Sequence, residues 1–319
     1  MSEILAEDDQ VENLTLALNY VCNSRCRFCF IERELDLKLA PTSEQEIAAL
    51  FAENARLGQY QRIILSGAEC TLRKDLPDIA RRAHAEGGFD VVQIQTNGRR
   101  LSDRAYLMTL LAAGITEYFV SVHAGDAELD AYLTRSPRSF EQMRQGLRNI
   151  RAVGARLISN SCVTRGNYEQ LPALADFLLA EGVPESHFWA FIEFGRIDQD
   201  GEHVRFPEVA PALREAVSRL KAKGVRVHLS WFPECLLGEH RDVVDNHRSD
   251  THIHAEFSQR SKEHGGFSCV HQDRCPSFMR SCVGLHERYV EVFGDEAEHL
   301  HPLPPLSEGG PEAGRKVRT

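Results

Sequence analysis

Three cysteines lie close together near the start of the chain. Cys22, Cys26 and Cys29 fall in the segment VCNSRCRFCF, directly after the apolar run 14–20. Three thiolates on one short loop can bind three irons of a cubane iron–sulfur cluster, and the fourth iron then stays open to a substrate or cofactor. The alternatives are a structural zinc site, which more often uses CxxC pairs with a fourth Cys or His, or three unrelated buried cysteines.

The composition limits the compartment and the partners. The 319 residues carry 37 basic and 47 acidic side chains and a net charge of -10, which disfavours binding to nucleic acid. No apolar run approaches the roughly eighteen residues that span a bilayer, and the N-terminus MSEILAEDDQVEN is acidic, unlike a signal peptide. We therefore expect a cytoplasmic protein without membrane contact. Nine cysteines in such a reducing compartment are candidate metal ligands, not a disulfide framework.

Strand and helix patterns alternate along most of the chain. Strands are predicted at 14–20, 61–66, 91–96, 117–123, 157–163, 187–192 and 225–231. Helices are predicted at 43–58, 75–86, 102–113, 138–153, 168–181 and 207–223, the first of them with a capping box at Ser43 and Glu46 and a stop at Gly58. Six or seven such units predict an α/β fold, a partial (β/α)6 TIM-like barrel; a doubly wound sheet is the alternative.

The alternation ends after about residue 232. We predict an N-terminal tail over 1–13, a barrel over 14–232, a small irregular cysteine-rich extension over 233–301 and a flexible tail over 302–319. The extension has too few large apolar residues for a core of its own, so we expect a metal centre to fix it.

The first cysteine motif resembles that of a known family. CxxxCxxC after the first strand of an α/β barrel, with Phe28 just before the third cysteine, is similar to the motif of the radical S-adenosylmethionine superfamily. The resemblance covers about residues 14–195 and implies that Cys22, Cys26 and Cys29 bind a [4Fe–4S] cluster whose open iron takes S-adenosylmethionine.

The end of the second predicted strand extends this resemblance. Ser66-Gly67-Ala68-Glu69 is similar to the family's glycine–glycine–glutamate motif, whose backbone and acid hold the methionyl ammonium group. Ala68 replaces the second glycine. Alanine is compatible with this position if its φ is negative, because only a positive φ makes the Cβ atom costly.

The resemblance implies a set of seven cofactor-binding residues, some of them on later strands. These are Phe28, Gly67, Glu69, Asn97, Ser121, Arg135 and Asn160. Each has an ordinary structural explanation, as a turn glycine, a helix cap, a solvated arginine or a core polar group. Most of them, however, fall at the carboxyl ends of predicted strands, where barrel enzymes assemble their sites.

The resemblance also implies a reaction. The methionyl amino and carboxylate groups of S-adenosylmethionine chelate the open iron, and one electron from the reduced cluster breaks the bond between the sulfonium and the ribose 5′ carbon. The resulting 5′-deoxyadenosyl radical takes a hydrogen atom from the substrate, so the protein must orient the reactants and exclude water. An electron donor such as flavodoxin or ferredoxin is implied as a partner.

Four further cysteines suggest a second metal site. Cys235, Cys269, Cys275 and Cys282 can ligate an auxiliary [4Fe–4S] cluster, which many members of the resembled family carry. A zinc ion, with His271 or His286 as a further ligand, is the alternative.

The substrate class stays open between a small molecule and a peptide. Glu193 and Arg196, in the segment FIEFGRID, are expected to point toward the barrel mouth as substrate contacts, although a surface ion pair is the simpler reading. The first strand begins at about residue 14, so recognition of a leader peptide is expected to need a partner protein or a loop. A non-catalytic iron–sulfur or zinc scaffold that senses redox state is the alternative function, because fold alone does not establish activity.

Overall fold

One curled sheet of eight parallel strands forms the centre of the molecule. The computed structural model describes residues 13–192, 201–246, 250–253, 255, 258 and 266–304. The strands are β1 Asn13–Ala17, β2 Arg62–Ser66, β3 Val91–Thr96, β4 Glu117–Ser121, β5 Arg156–Val163, β6 Glu185–Ala190, β7 Arg226–Ser230 and β8 Asp250–His252. Their order is β7-β6-β5-β4-β3-β2-β1-β8, and all neighbours are parallel, so the fold is the predicted α/β half-barrel.

Helices follow the strands and cover the outer face of the sheet. They are α1 Glu32–Leu37, α2 Glu44–Leu57, α3 Leu76–Ala85, α4 Arg104–Ala112, α5 Ala127–Thr134, α6 Ser139–Ala152, α7 Leu171–Ala180, α8 Phe206–Ala222 and α9 Glu287–Phe293. None of the helices in the described part of the chain combines the length and the apolar character needed to cross a membrane.

The sequence signals for α2 are confirmed. The Ser43 side chain accepts a hydrogen bond from the Glu46 backbone N–H, and the Glu46 carboxylate accepts one from the Ser43 N–H at 2.7 Å. Gly58 has a φ of +62°, the left-handed conformation that ends helices. Helices α1 and α5 are absent from the sequence prediction because six and eight residues give too short a stretch for a clear apolar period.

Strand β8 is the main departure from the predicted topology. It is three residues long, lies in the segment predicted to be irregular, and pairs with β1 beyond the last predicted strand. Val244 forms a bridge with Leu229 of β7, at one edge of the sheet. Asp250, six residues later, begins β8, which pairs with β1 at the other edge. Six residues span at most about 21 Å, and the two edges must therefore approach one another.

The two faces of the sheet differ in chemistry. Leu16, Leu65 and Ile94 point outward and are fully buried against the helices. The inner face carries an ion-pair network built from the first residues of five strands; we call Arg62, Glu117, Arg156, Glu185 and Arg226 the inner charged network. Because side chains alternate along a strand, one face builds the core and the other is free for chemistry.

The C-terminal segment packs on the barrel through a specific contact. Tyr289 of α9 stacks on Phe206 at the start of α8, with ring centroids 4.3 Å apart and an interplanar angle of 8°. Its hydroxyl accepts a hydrogen bond from the Phe206 N–H at 2.8 Å and donates one to Glu296 at 2.7 Å. Glu296 is buried and also pairs with Arg205. Apolar stacking and an ion pair between Arg205 and the buried Glu296 therefore hold this segment, in addition to the metal centre that the sequence predicts.

The hydroxyl of Tyr289 provides a test of this packing. Tyr289→Phe keeps the ring but leaves the Phe206 N–H without its acceptor and removes one of the donors to Glu296. We expect the free energy of unfolding to fall by about 1–3 kcal/mol, measured by anaerobic urea titration followed by circular dichroism. The control is Tyr132→Phe, at an exposed tyrosine. Equal midpoints for the two variants would show that the Tyr289 hydroxyl contributes nothing.

Candidate metal and cofactor site

The loop between β1 and α1 carries the three clustered cysteines. Its backbone is attached to the end of α5: the N–H groups of Arg25 and Arg27 donate to the carbonyl oxygens of Thr134 and Leu133 at 3.0 and 2.9 Å. The loop then enters α1 through hydrogen bonds from the Cys29 N–H and the Glu32 N–H, each 3.2 Å long. The loop is thereby held over the carboxyl ends of the strands.

A zinc site and an iron–sulfur cluster require different distances between the three cysteine sulfurs. Among the residues that the structure describes, none of these sulfurs belongs to a set of three or more ligand atoms that all lie within 4.8 Å of one another. A tetrahedral zinc ion with bonds of about 2.3 Å holds its sulfurs about 3.8 Å apart. The three sulfurs therefore do not form such a compact set in the described structure. A polynuclear cluster, in which each thiolate binds a different iron, does not require one.

The electrostatics of the loop agree with a positively charged ligand. Burial raises the pKa of Cys26 well above its ordinary value, and the neighbouring Cys29 and Cys22 raise it further. Burial also raises the pKa of Cys22, although the Ser24 N–H donates a hydrogen bond to its sulfur at 3.3 Å. Three thiolates in this position need the positive charge that iron supplies.

Phe28 and His123 form an apolar wall beside the cysteine loop. The Phe28 ring is buried and meets the His123 ring edge to face, with centroids 4.6 Å apart. Burial lowers the pKa of His123 to about 4, so the ring is neutral at physiological pH. Its Nδ1 accepts a hydrogen bond from the Cys162 N–H at 3.1 Å, and its proton therefore lies on Nε2.

Glu69 joins the ends of β2 and β3. Its carboxylate is 1% exposed and accepts hydrogen bonds from the Thr96 hydroxyl at 2.6 Å and from the Asn97 N–H at 2.8 Å. The Thr71 hydroxyl and N–H donate to the same carboxylate at 2.5 and 3.2 Å. A buried carboxylate is tolerated only with such donors, and these fix its orientation.

The chain needs glycine at position 67. Gly67 has a φ of +124°, and a Cβ atom there would lie 2.5 Å from the carbonyl oxygen of Asn19. Asn19 holds the next two residues in return: its carbonyl accepts from the Ala68 N–H at 2.9 Å, and its side-chain amide donates to the Glu69 carbonyl at 3.0 Å. Ala68 is not among the residues with positive φ, which meets the condition that the sequence set for alanine there.

Asn97 and Arg99 connect the end of β3 to the cysteine loop. The Asn97 side-chain amide donates to the Asn23 side chain at 2.7 Å and lies 3.8 Å from the Cys22 sulfur. The Arg99 guanidinium donates to the Asn23 carbonyl and, at 3.0 Å, to the Ser24 hydroxyl. The sequence identified Asn97 but missed the other three. An arginine three residues after a strand end and two polar residues inside CxxxC were the signals that could have found them.

Ser121 and Asn160 lie side by side across two strands. They are register partners in the pairing of β4 with β5. Asn160 is 7% exposed, and its side-chain oxygen Oδ1 is buried without a hydrogen-bond partner in the described structure. A buried acceptor of this kind costs free energy unless a ligand supplies a donor, such as a ribose hydroxyl.

The remaining predicted site residues have different outcomes. Arg135 ends α5 with a φ of +51° and lies 3.7 Å from the Glu32 carboxylate, beside the cysteine loop and half exposed. Glu193 and Arg196 lie outside the described residues.

The four C-terminal cysteines lie near one another. Cys235 follows β7, and burial raises its pKa, with further contributions from the nearby Cys269 and Cys275. Burial raises the pKa of Cys282 to about 11, and Cys235 is among the neighbours that add to the shift. No set of three ligand atoms within 4.8 Å includes any of these sulfurs in the described residues.

The sequence is similar to one family model and to curated relatives. The family model described as the Radical SAM superfamily matches residues 17–178. The chain is 27% identical over 243 residues to the Fe-coproporphyrin III synthase of Methanosarcina barkeri, and the match covers 76% of this chain and 57% of the relative. It is 28% identical over 215 residues to a probable GTP 3′,8-cyclase of Sulfurisphaera tokodaii, covering 67% of each chain.

Solved structures share the fold. SuiB of Streptococcus suis bound to S-adenosylmethionine has a TM-score of 0.56 and 16% identity, and the similarity covers 69% of this chain and 50% of SuiB. SuiB bound to the precursor peptide SuiA gives the same TM-score with 15% identity, over 69% of this chain and 48% of SuiB.

Arg99 offers a test of how the cysteine loop is held. Arg99→Gln removes the donors to the Asn23 carbonyl and the Ser24 hydroxyl. If the loop holds a cluster, we expect an iron chelator to remove its iron about tenfold faster, because supporting contacts of this kind stabilise metal sites. The measurement is iron release under anaerobic conditions, with Arg104→Gln at an exposed arginine as the matched control. Equal rates in both variants would mean that Arg99 does not hold the loop.

Proposed function

The chain belongs to the radical SAM superfamily, and we propose on this basis that it cleaves S-adenosylmethionine reductively and acts on a peptide or small-molecule substrate in the cytoplasm. The observation that carries the proposal is the arrangement of three cysteines on one loop directly beside the buried Glu69 carboxylate. Asn97 links the two, since its N–H donates to Glu69 and its side chain approaches the Cys22 sulfur.

Cys22, Cys26 and Cys29 are the proposed ligands of a [4Fe–4S] cluster. When bound, this group supplies the electron that cleaves S-adenosylmethionine into methionine and a 5′-deoxyadenosyl radical, which abstracts hydrogen from the substrate. The contribution of the three thiolates is to leave one iron open. An electron carrier such as flavodoxin or ferredoxin is the proposed donor.

Glu69 is the proposed contact for the methionyl ammonium group. Its Oε1 atom accepts three hydrogen bonds from Thr71 and Thr96, whereas Oε2 accepts one, from the Asn97 N–H. A carboxylate offers about four acceptor positions, so Oε2 retains the capacity for an ammonium donor. Its fixed orientation avoids the entropy cost of ordering a flexible side chain on binding.

The neighbouring strand ends are suited to the nucleoside. Ser121 and Asn160 present a hydroxyl and a buried unpaired acceptor on adjacent strands, which suits the two hydroxyls of a ribose. Phe28 and the neutral His123 exclude water from this side of the site. Arg135 is proposed as a further contact near the loop.

The C-terminal cysteines are proposed to hold an auxiliary cluster. Cys235 lies five residues after the end of β7, which favours a second site at the carboxyl end of the sheet on the side of the last barrel strand. Four thiolates are a complete ligand set for a [4Fe–4S] cluster, and a structural zinc ion is the alternative.

Three aromatic side chains on the inner face are the proposed lining of the substrate site. Phe119, Trp189 and Trp231 form an aromatic wall, with Trp189 5.6 Å from Phe119 and 5.2 Å from Trp231 between ring centroids. Trp231 has a φ of +68°, a strained conformation for a bulky residue that the Asn246 side chain stabilises by accepting from the Trp231 N–H at 2.9 Å. We propose that this wall contacts an apolar or planar part of the substrate. SuiB was solved with a precursor peptide, which makes a peptide one candidate.

Release of 5′-deoxyadenosine tests the proposed activity. The reconstituted protein, incubated anaerobically with S-adenosylmethionine and dithionite, is expected to form it. The variant in which Cys22, Cys26 and Cys29 are all Ala is expected to form none and to retain about four irons, the content of one cubane. Iron and sulfide analysis measures the second outcome; zinc without iron in this variant would overturn the auxiliary-cluster proposal.

Glu69→Gln tests the ammonium contact. The substitution keeps the shape but removes the charge, so we expect S-adenosylmethionine to bind about 10–100-fold more weakly, the cost of a charge-assisted hydrogen bond. Equilibrium binding to the reconstituted protein measures this loss, and the iron content is expected to stay unchanged. Glu53→Gln, at an exposed glutamate, is the matched control. An unchanged dissociation constant would remove Glu69 from the proposed site.

A further inference from the structure

A second group of possible metal ligands lies on the inner face, away from all the cysteines discussed above. Glu185 is the first residue of β6, His187 lies two residues on, and His228 lies on the adjacent β7 as the register partner of His187. These three side chains form the one set in the described residues whose Cys, His, Asp or Glu ligand atoms all lie within 4.8 Å of one another.

The distances match those around a single ion. His187 Nε2 lies 3.2 Å from Glu185 Oε1, and His228 Nε2 lies 3.8 Å from the same oxygen. Ligands bound at about 2.0–2.1 Å in tetrahedral geometry are about 3.3 Å apart, so only small side-chain movements are needed to surround an ion. The two imidazole rings face one another with centroids 4.5 Å apart and planes 33° apart.

Supporting contacts orient two of the three ligands. His228 Nδ1 lies 3.0 Å from the Asp245 carboxylate, and a proton on Nδ1 leaves the Nε2 lone pair facing Glu185. The other oxygen of Glu185, Oε2, accepts from Arg156 at 3.0 Å and from Arg226 at 2.9 Å. Glu185 therefore turns Oε1 toward the histidines. Hydrogen bonds of this kind to ligating histidines and carboxylates are typical of protein metal sites.

The local charge does not oppose a cation. Glu117, Glu185 and Asp245 balance the arginines Arg62, Arg156 and Arg226 in and beside the inner charged network. The side chains of His187 and His228 are 13% and 15% exposed, so the pair lies close to the surface of the inner face.

We propose that Glu185, His187 and His228 bind a divalent transition-metal ion of the zinc class. Two imidazoles and one carboxylate are the donor set of open zinc and non-haem iron(II) sites, which keep a position for water or an oxygen of a bound molecule. The site lies at the amino ends of β6 and β7, whereas the cysteine loop lies over the carboxyl ends of the strands. It is independent of the function proposed above.

Zinc titration of the reconstituted full-length protein tests the site. The desalted protein is titrated anaerobically with zinc chloride in a calorimeter, and cobalt(II) chloride reports the ligand type from its visible spectrum. We expect one ion to bind with a cobalt spectrum of nitrogen and oxygen ligands. His228→Gln is expected to weaken zinc binding at least tenfold, and Asp245→Asn about 10–100-fold through the supporting hydrogen bond.

The controls distinguish this site from the cysteines and from misfolding. His299→Gln, at an exposed histidine, is expected to leave zinc binding unchanged. Asp245→Asn is close in shape to the native side chain and keeps the proposed ligands, so its effect does not depend on a variant that fails to fold. Three results overturn the proposal: no zinc binding to the wild-type protein, binding that neither variant weakens, or thiolate bands in the cobalt spectrum of the bound ion.

Discussion

The buried Glu69 carboxylate is the interaction on which the arrangement of the candidate site depends. A buried charge is costly without donors, and Glu69 receives them from Thr71, Thr96 and Asn97, which tie the end of β2 to the end of β3. Asn97 then contacts the loop after β1. One carboxylate thus connects the ends of three successive strands. The loop that carries the three cysteines is held in place through this connection, by the contact of Asn97 with Asn23.

The close approach at Gly67 is the steric counterpart of this interaction. The Asn19 backbone leaves no room for a Cβ atom at position 67. Asn19 also forms hydrogen bonds with the backbone of Ala68 and Glu69, the two residues after Gly67. Any side chain at Gly67 would separate β1 from the turn that carries Glu69. The tolerance of alanine at position 68 and the requirement for glycine at position 67 have the same cause, which is the sign of φ at each residue.

The inner face of the half-barrel changes character from one end to the other. Charged first residues of the strands form paired networks at the amino ends, while aromatic rings and the unpaired side-chain oxygen of Asn160 lie in the carboxyl half. The C-terminal segment packs on α8 through Tyr289 and Glu296, and it brings Cys269, Cys275 and Cys282 toward Cys235. Its position therefore rests on contacts with the barrel as well as on its own cysteines.

The sequence by itself determined the features that depend on local pattern. The alternation of strands and helices, the capping box of α2 and the CxxxCxxC spacing are all readable because each involves residues a few positions apart. The placement of Glu69 after the second strand and of Asn160 within the fifth followed from the same alternation. The six- and eight-residue helices and the three-residue β8 were missed because so short a segment has no period of its own.

Tertiary structure alone decided which distant side chains meet. Arg99 reaches Asn23 across 76 positions, and His228 meets Glu185 because β6 and β7 pair in one register. A local pattern can mark such a residue as polar and near a strand end, but it does not show which distant residue it contacts. Strand β8 likewise exists because β1 offers it an edge, and Asn160 is known to have an unpaired oxygen only once every neighbour is in place. Register and curvature arise from the packing of the whole sheet, so no short stretch of sequence contains them.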